Sequence, residues 1–183
     1  MGKMISYRVN YEKAIETIVW LANQRPGIDI YHVAKIIFYA EKMHVNRYAK
    51  PIIGDTYICM DYGQVPSGIR DLITENSWLN PTYLQTVADS IKINKKPYPT
   101  LKAQRKPKME YFSGTDLECL KESLSEYGDK SFDELKKMTH EEKCWAETEL
   151  NQSIDYALIV DEDNPRREEI LQEMSETSSY IQV

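Results

Sequence analysis

The chain of 183 residues is 42% hydrophobic and 28% charged, with only seven glycines and eight prolines. That composition excludes a fibrous or disordered protein and fits one soluble domain with room for a sizeable core. Its net charge of −6 divides into balances of 0 over residues 1–91, +7 over 92–109 and −13 over 110–183; an acidic C-terminal part is unsuited to general nucleic-acid binding, whose affinity comes largely from phosphate neutralisation.

The same asymmetry would steer a basic protein partner toward the C-terminal part. A solvated acidic surface is the competing account. No stretch approaches the roughly 18 apolar residues of a membrane helix, and the start MGKMISYRVNYEK has no apolar leader, so a cytoplasmic address without a membrane partner is expected. Cys59, Cys119 and Cys144 are odd in number and match neither a CxxC metal knuckle nor a dense disulfide framework. They read as reduced thiols.

In chain order, residues 1–9 form an N-terminal extension, and Asn10 can cap a first helix whose apolar residues recur from Tyr11 to Ala22, until Pro26-Gly27 stops it. Asp29 caps a second helix, about Ile30 to Asn46. From Val33 to Ala40 every residue except Lys35 is apolar or aromatic, and a helix greasy on nearly all sides belongs in the centre of a domain. The segment GDTYICMDYG then reads as a short strand with Tyr57 and Cys59 on one face and Ile58, Met60 and Tyr62 on the other. Pro66 opens a short helix through Ile73, and Asn80-Pro81 opens another through Ile91. The segment Tyr98 to Lys106 could pair with the first strand, although Pro97, Pro99 and Pro107 confine it to an edge.

Three capping boxes predict helices in the C-terminal third: Ser113 with Asp116, Ser131 with Glu134, and Thr139 with Glu142. The last of these helices would present Trp145. DYALIVDED is too apolar for a free loop and is expected to dock in extended form. A final helix should start at Asn164-Pro165 and bury Ile170, Leu171 and Met174, after which residues 175–183 fray. The expected fold is mainly α: a single compact helical domain (10–160) around a buried central helix, with a small antiparallel β-ribbon, and a C-terminal helix with a frayed tail (161–183).

Residues 33–73 resemble the signature of the Panacea (SocA-like) domain family through Tyr39, Ala40, His44, Tyr48, Pro51, Ile52, Gly54, Asp55, Tyr57, Met60, Tyr62, Gly63, Val65 and Pro66. A second block resembles the family through Tyr127, Gly128, Leu135, Thr139, His140, Glu141 and Trp145. Ala49 departs from the family's usual glycine and Gln64 from its frequent proline. The resemblance implies a helical domain without a cofactor, commonly encoded beside a toxin, that neutralises the toxin by direct binding or delivers it to a protease. It equally admits an alternative, a proteolytic adaptor or a prophage or mobile-element regulatory protein that binds a partner without being a dedicated antitoxin. Self-association stays open.

Packing explains the candidate catalytic groups better than chemistry does. His44 shares a helix face with Val33 and Ile37, His140 follows a capping residue, and the histidines have no HxxxH or HExxH spacing for zinc. No GxSxG elbow and no phosphate-binding glycine loop is present. Asp55 reads as a turn residue. The expectation is therefore no enzyme, no catalytic residues, no metal and no cofactor. Partner binding would fall on Tyr48, Asp55, Tyr57, Tyr62 and Gln64 around the strand, with Glu141 and Glu142 from the acidic part, since tyrosines are enriched at binding hot spots. A core role is the competing reading of these tyrosines.

Overall fold

The computed structural model describes residues 4–180, with side chains through Ser178. Helix α1 (Tyr11–Gln24) starts where the Asn10 side chain accepts the Lys13 amide, and α2 (Ile30–Tyr48) starts where Asp29 accepts that of His32. Helix α2 ends at Ala49, which takes the left-handed conformation (φ 56°) that a helix C-terminus most often gives to glycine. Every residue from Val33 to Glu41 is buried. Helix α2 packs against helices and strands on several sides, which explains why its apolar surface is not confined to one stripe.

Two small antiparallel sheets flank these helices. Strands β2 (Tyr57–Met60) and β3 (Gly63–Pro66) form a hairpin in the register Tyr57 to Pro66 and Cys59 to Gln64. Strands β1 (Ile28–Asp29), β4 (Ile91–Asn94) and β5 (Thr100–Ala103) form a sheet in the order β1-β5-β4. The pairing expected between the first long strand and residues 98–106 is thus not made. A two-residue turn lets residues 57–60 pair locally with 63–66. Pro97, Pro99 and Pro107 lie outside the four residues of β5, so β5 donates to neighbours on both sides and is the middle strand.

Helices α3 (Ser67–Ile73) and α4 (Pro81–Ser90) follow the hairpin, the latter capped by Asn80. In the C-terminal third, α5 (Gly114–Tyr127) and α6 (Phe132–Glu141) carry complete capping boxes from Ser113 and Ser131. Thr139 caps nothing: it sits inside α6, where its hydroxyl donates to the carbonyls of Leu135 and Lys136. Glu142 instead joins α6 to the four-residue α7 (Lys143–Ala146).

Residues 151–154 lie along the outer edge of β2, with Cys59 and Ile154 amides bonded across at 3.0 and 2.8 Å. The segment expected to dock in extended form does dock, but as a 3-10 turn (Tyr156–Leu158) that buries Tyr156, Ile159 and Val160. Helix α8 (Arg167–Tyr180) begins after Asn164-Pro165, because the Asn164 side chain accepts the Arg166 amide in a turn before the helix. It buries Ile170 and Met174 and half-buries Leu171. Its helical hydrogen bonding continues into the stretch expected to fray, whose last three residues, 181–183, lie outside the described residues. The fold is mainly α with small antiparallel strands; among the described residues no helix is long and apolar enough to cross a membrane.

Candidate partner-binding surface

The β2–β3 hairpin sorts the candidate tyrosines by strand parity. Tyr57 and Cys59 point inward and are wholly buried, while the turn lifts Tyr62 into solvent at 55% exposure. Tyr57 meets the rings of Phe38 at 5.4 Å and Tyr156 at 6.1 Å. Its hydroxyl has no hydrogen-bond partner among the described residues.

Asp55 is buried too, as a helix cap: its two oxygens accept the amides of Gly68 at 2.8 Å and Ile69 at 2.9 Å. Burial outweighs those amides and pushes its carboxyl up to about 6. Gln64 is buried and donates to the Thr139 carbonyl at 3.1 Å. The structure therefore places Asp55, Tyr57 and Gln64 inside the fold, where they cannot touch a partner.

Tyr48 is half-buried, its hydroxyl donating to the Glu118 carboxylate. It ends α2, whereas Tyr31 begins it, so the two rings are separated by about 25 Å of helix at 1.5 Å per residue. Tyr62 belongs to the Tyr31 end, because the Tyr31 hydroxyl donates to the Tyr62 carbonyl at 3.2 Å. Tyr48 and Tyr62 do not form one surface.

What gathers at Tyr62 is an aromatic cluster. Phe132 packs edge-on to Tyr62 (5.4 Å) and against Tyr31 (4.5 Å), and Lys136 sits 5.2 Å over the Tyr62 ring. The turn is pinned from α6, where His140 Nε2 donates to the Asp61 carbonyl at 2.9 Å and stacks on Trp145. Trp145 in turn donates to the Met60 carbonyl. Gly63 closes the turn at φ 102°, and a Cβ there would stand 2.4 Å from Thr139 Oγ1, so only glycine lets α6 approach this closely.

Two recesses flank Tyr31. One, of about 280 Å³, lies between α2, the hairpin and α3, walled by Ile30, Ala34, Met60, Tyr62, Val65 and Ile69. The other, of about 460 Å³, is walled by Ile30, Tyr31, His32, Phe132 and the exposed Tyr98. Lys35 lines the first and is wholly buried. Its Nζ donates to the Gln64 carbonyl at 2.8 Å and lies 5.0 Å over the Tyr31 ring, and no carboxylate among the described residues pairs with it. Burial pushes the amine down to about 7.

Glu141 and Glu142 line a separate groove of about 440 Å³ between α6, α7 and residues 158–163. Sequence reasoning missed Tyr31, Lys35, Tyr98 and Phe132. Phe132 stands three residues before the buried Leu135, the spacing of a shared helix face, so nothing in the sequence marked it as a surface aromatic.

The histidines hold structural places. His44 is wholly buried, with Nδ1 donating to the Lys50 carbonyl at 2.7 Å and Nε2 facing the Thr115 hydroxyl at 3.0 Å; burial lowers its pKa and keeps the ring neutral. His32 is raised by its 2.7 Å contact with Asp29. Among the described residues no three His, Cys, Asp or Glu side chains are grouped to hold a metal, and all three cysteines are free and buried.

The model of the family described as "Antitoxin SocA-like, Panacea domain" matches residues 33–146. That span runs from the buried part of α2 through α7 and contains Tyr62, Phe132 and the groove-lining Glu141 and Glu142. No curated protein and no solved structure matches the chain.

Proposed function

Because the chain belongs to the SocA-like antitoxin, Panacea-domain family, we propose that it is a non-catalytic antitoxin that neutralises a cognate toxin by direct contact at the Tyr62 cluster. The observation that carries this reading is the exposure of Tyr62 and Phe132 beside a recess with almost wholly apolar walls. Large aromatics left in solvent next to an apolar socket are the usual anatomy of a binding hot spot. An apolar side chain of the toxin would fill the recess, and the two rings would bury against its surroundings. The three unpaired thiols support action in the reducing cytoplasm.

The test is co-expression with the protein encoded by the adjacent gene. The wild type should bind that protein and rescue growth. Tyr62→Ala combined with Phe132→Ala should weaken binding by about tenfold or more and lose rescue, while thermal unfolding stays unchanged. Rescue that persists in a protease-deficient host separates direct blocking from delivery to a protease. Binding without rescue would move the chain to the adaptor or regulator class, and a wild type that binds no such protein would end the antitoxin reading.

A further inference from the structure

The groove beside α7 is acidic on balance, yet part of its acidity is already neutralised. Lys42 bridges Glu142 at 2.5 Å and Asp161 at 2.9 Å, and Lys143 pairs with Glu162. Glu141 and Asp163 line the same groove, are exposed, and pair with no cation among the described residues. Two carboxylates are thus left facing solvent over a cavity of about 440 Å³.

The wall of that groove adds an independent observation. Tyr39 and Tyr127 both line it and stack on one another at 3.9 Å with planes 11° apart. Tyr39 is only 4% exposed, and its hydroxyl has no hydrogen-bond partner among the described residues. Burial raises this phenol strongly, with the Glu142 carboxylate adding to the effect, so it stays protonated and offers its oxygen lone pairs to a donor. A buried hydroxyl without a partner is costly unless a guest supplies one.

We propose that this groove receives an arginine side chain from a basic segment of the partner protein. A guanidinium is planar, stacks on aromatic faces, and carries five donors in a rigid fork. Its spread of donors suits the free carboxylates of Glu141 and Asp163 and the Tyr39 oxygen together. A lysine ammonium offers one compact charge and cannot satisfy them all. The identity of the partner as a toxin rests on the antitoxin reading; the chemistry of the guest rests on the groove alone.

The test titrates the full chain into a fluorescein-labelled oligo-arginine peptide, and separately into an oligo-lysine peptide of equal length, at low salt. Oligo-arginine should bind about threefold or more tightly than oligo-lysine. Glu141→Gln combined with Asp163→Asn should weaken oligo-arginine binding by about tenfold. The same charge change on exposed α8, Glu173→Gln combined with Glu176→Gln, should weaken it by less than about threefold, as expected of screened distant charge. Tyr39→Phe should lower oligo-arginine affinity without lowering the unfolding midpoint, because it removes a hydroxyl that none of the described residues satisfies. Equal losses from the two charge-removal pairs, or no preference for arginine, would overturn the groove as the site. Those outcomes leave growth rescue untouched, whereas a wild type that fails to rescue while still binding oligo-arginine would remove the antitoxin reading and keep the groove.

Discussion

The Glu41 carboxylate accepts the amide of Gly54 at 2.8 Å from deep inside the fold. The Tyr156 hydroxyl donates to that same oxygen at 3.2 Å, while the other oxygen accepts the amides of Ile52 at 2.6 Å and Ile53 at 3.2 Å. One side chain of α2 thereby satisfies three consecutive amides of the connection to β2, including that of Gly54 at φ 71°. Burial raises the Glu41 carboxyl against the lowering effect of those amides. Glu41→Ala should cost at least about 3 kcal/mol, since each buried donor left unpaired costs about 1 to 3 kcal/mol. Glu41→Gln should also destabilise, because its amide group turns a donor toward donors. Urea unfolding measures both, and a loss under about 1 kcal/mol for the alanine variant would show that water replaces the carboxylate.

Ala49 supplies a second stability prediction. It holds the left-handed C-cap of α2 while almost wholly buried, and a Cβ in that conformation costs about 1 to 2 kcal/mol. Ala49→Gly relieves this cost and loses one buried methyl, worth about 0.8 kcal/mol. The expected outcome is a gain of up to about 1 kcal/mol, read as a higher denaturant midpoint with an unchanged slope. A lower midpoint would show that the methyl outweighs the strain.

Legibility in the sequence followed the range of the interaction. Asn10, Asp29, Asn80, Ser113 and Ser131 are caps as expected, because a cap bonds an amide two or three residues away and its chemistry is wholly local. Thr139 has the same spacing to an acid, yet its hydroxyl bonds backward to Leu135 and Lys136, and nothing local distinguishes the two uses. Strand partners depend on the whole chain, and nothing local shows that residues 100–103 pair with β1 and β4 rather than with β2. At the site, pleat alternation already separated Tyr57 from Tyr62 by face but could not say which face was inside. Lys35 showed only as a break in an apolar run; its lack of a counter-ion is a property of the packed neighbourhood.

That neighbourhood makes stability depend on pH through Lys35. Its amine is lowered from 10.5 to about 7 by burial. Between those values the unfolded chain binds a proton that the folded chain does not, so stability rises with pH across this window. Below about 7 both states are protonated and the full cost of burying the charge is present. Lys35→Met removes the titration, at the expense of the bond to the Gln64 carbonyl. Its stability relative to the wild type should be most favourable at or below pH 7 and should fall by a few kcal/mol toward pH 10. Unfolding free energies across that range decide it, and a flat difference would show that the ammonium is solvated or paired in solution.

The two tyrosines of the hairpin give the sharpest separation of folding from binding. Tyr57 is wholly buried against Phe38 and Tyr156, with a hydroxyl that bonds nothing among the described residues. Removing only that hydroxyl, in Tyr57→Phe, should be neutral or stabilising, because an unpaired buried polar group costs about 1 to 3 kcal/mol. Removing the ring, in Tyr57→Ala, should cost about 3 to 5 kcal/mol, the range for emptying a core aromatic site. Tyr62→Ala should do the reverse: its ring is more than half exposed and meets Phe132 and Lys136 at the surface, so stability should stay within about 0.5 kcal/mol. Partner affinity should nonetheless fall for Tyr62→Ala and stay at the wild-type level for Tyr57→Phe. Chemical denaturation and a binding titration on the same three variants therefore form one experiment. A Tyr62→Ala protein that binds its partner with full affinity would place the interface away from the aromatic cluster, whatever the Tyr57 variants show.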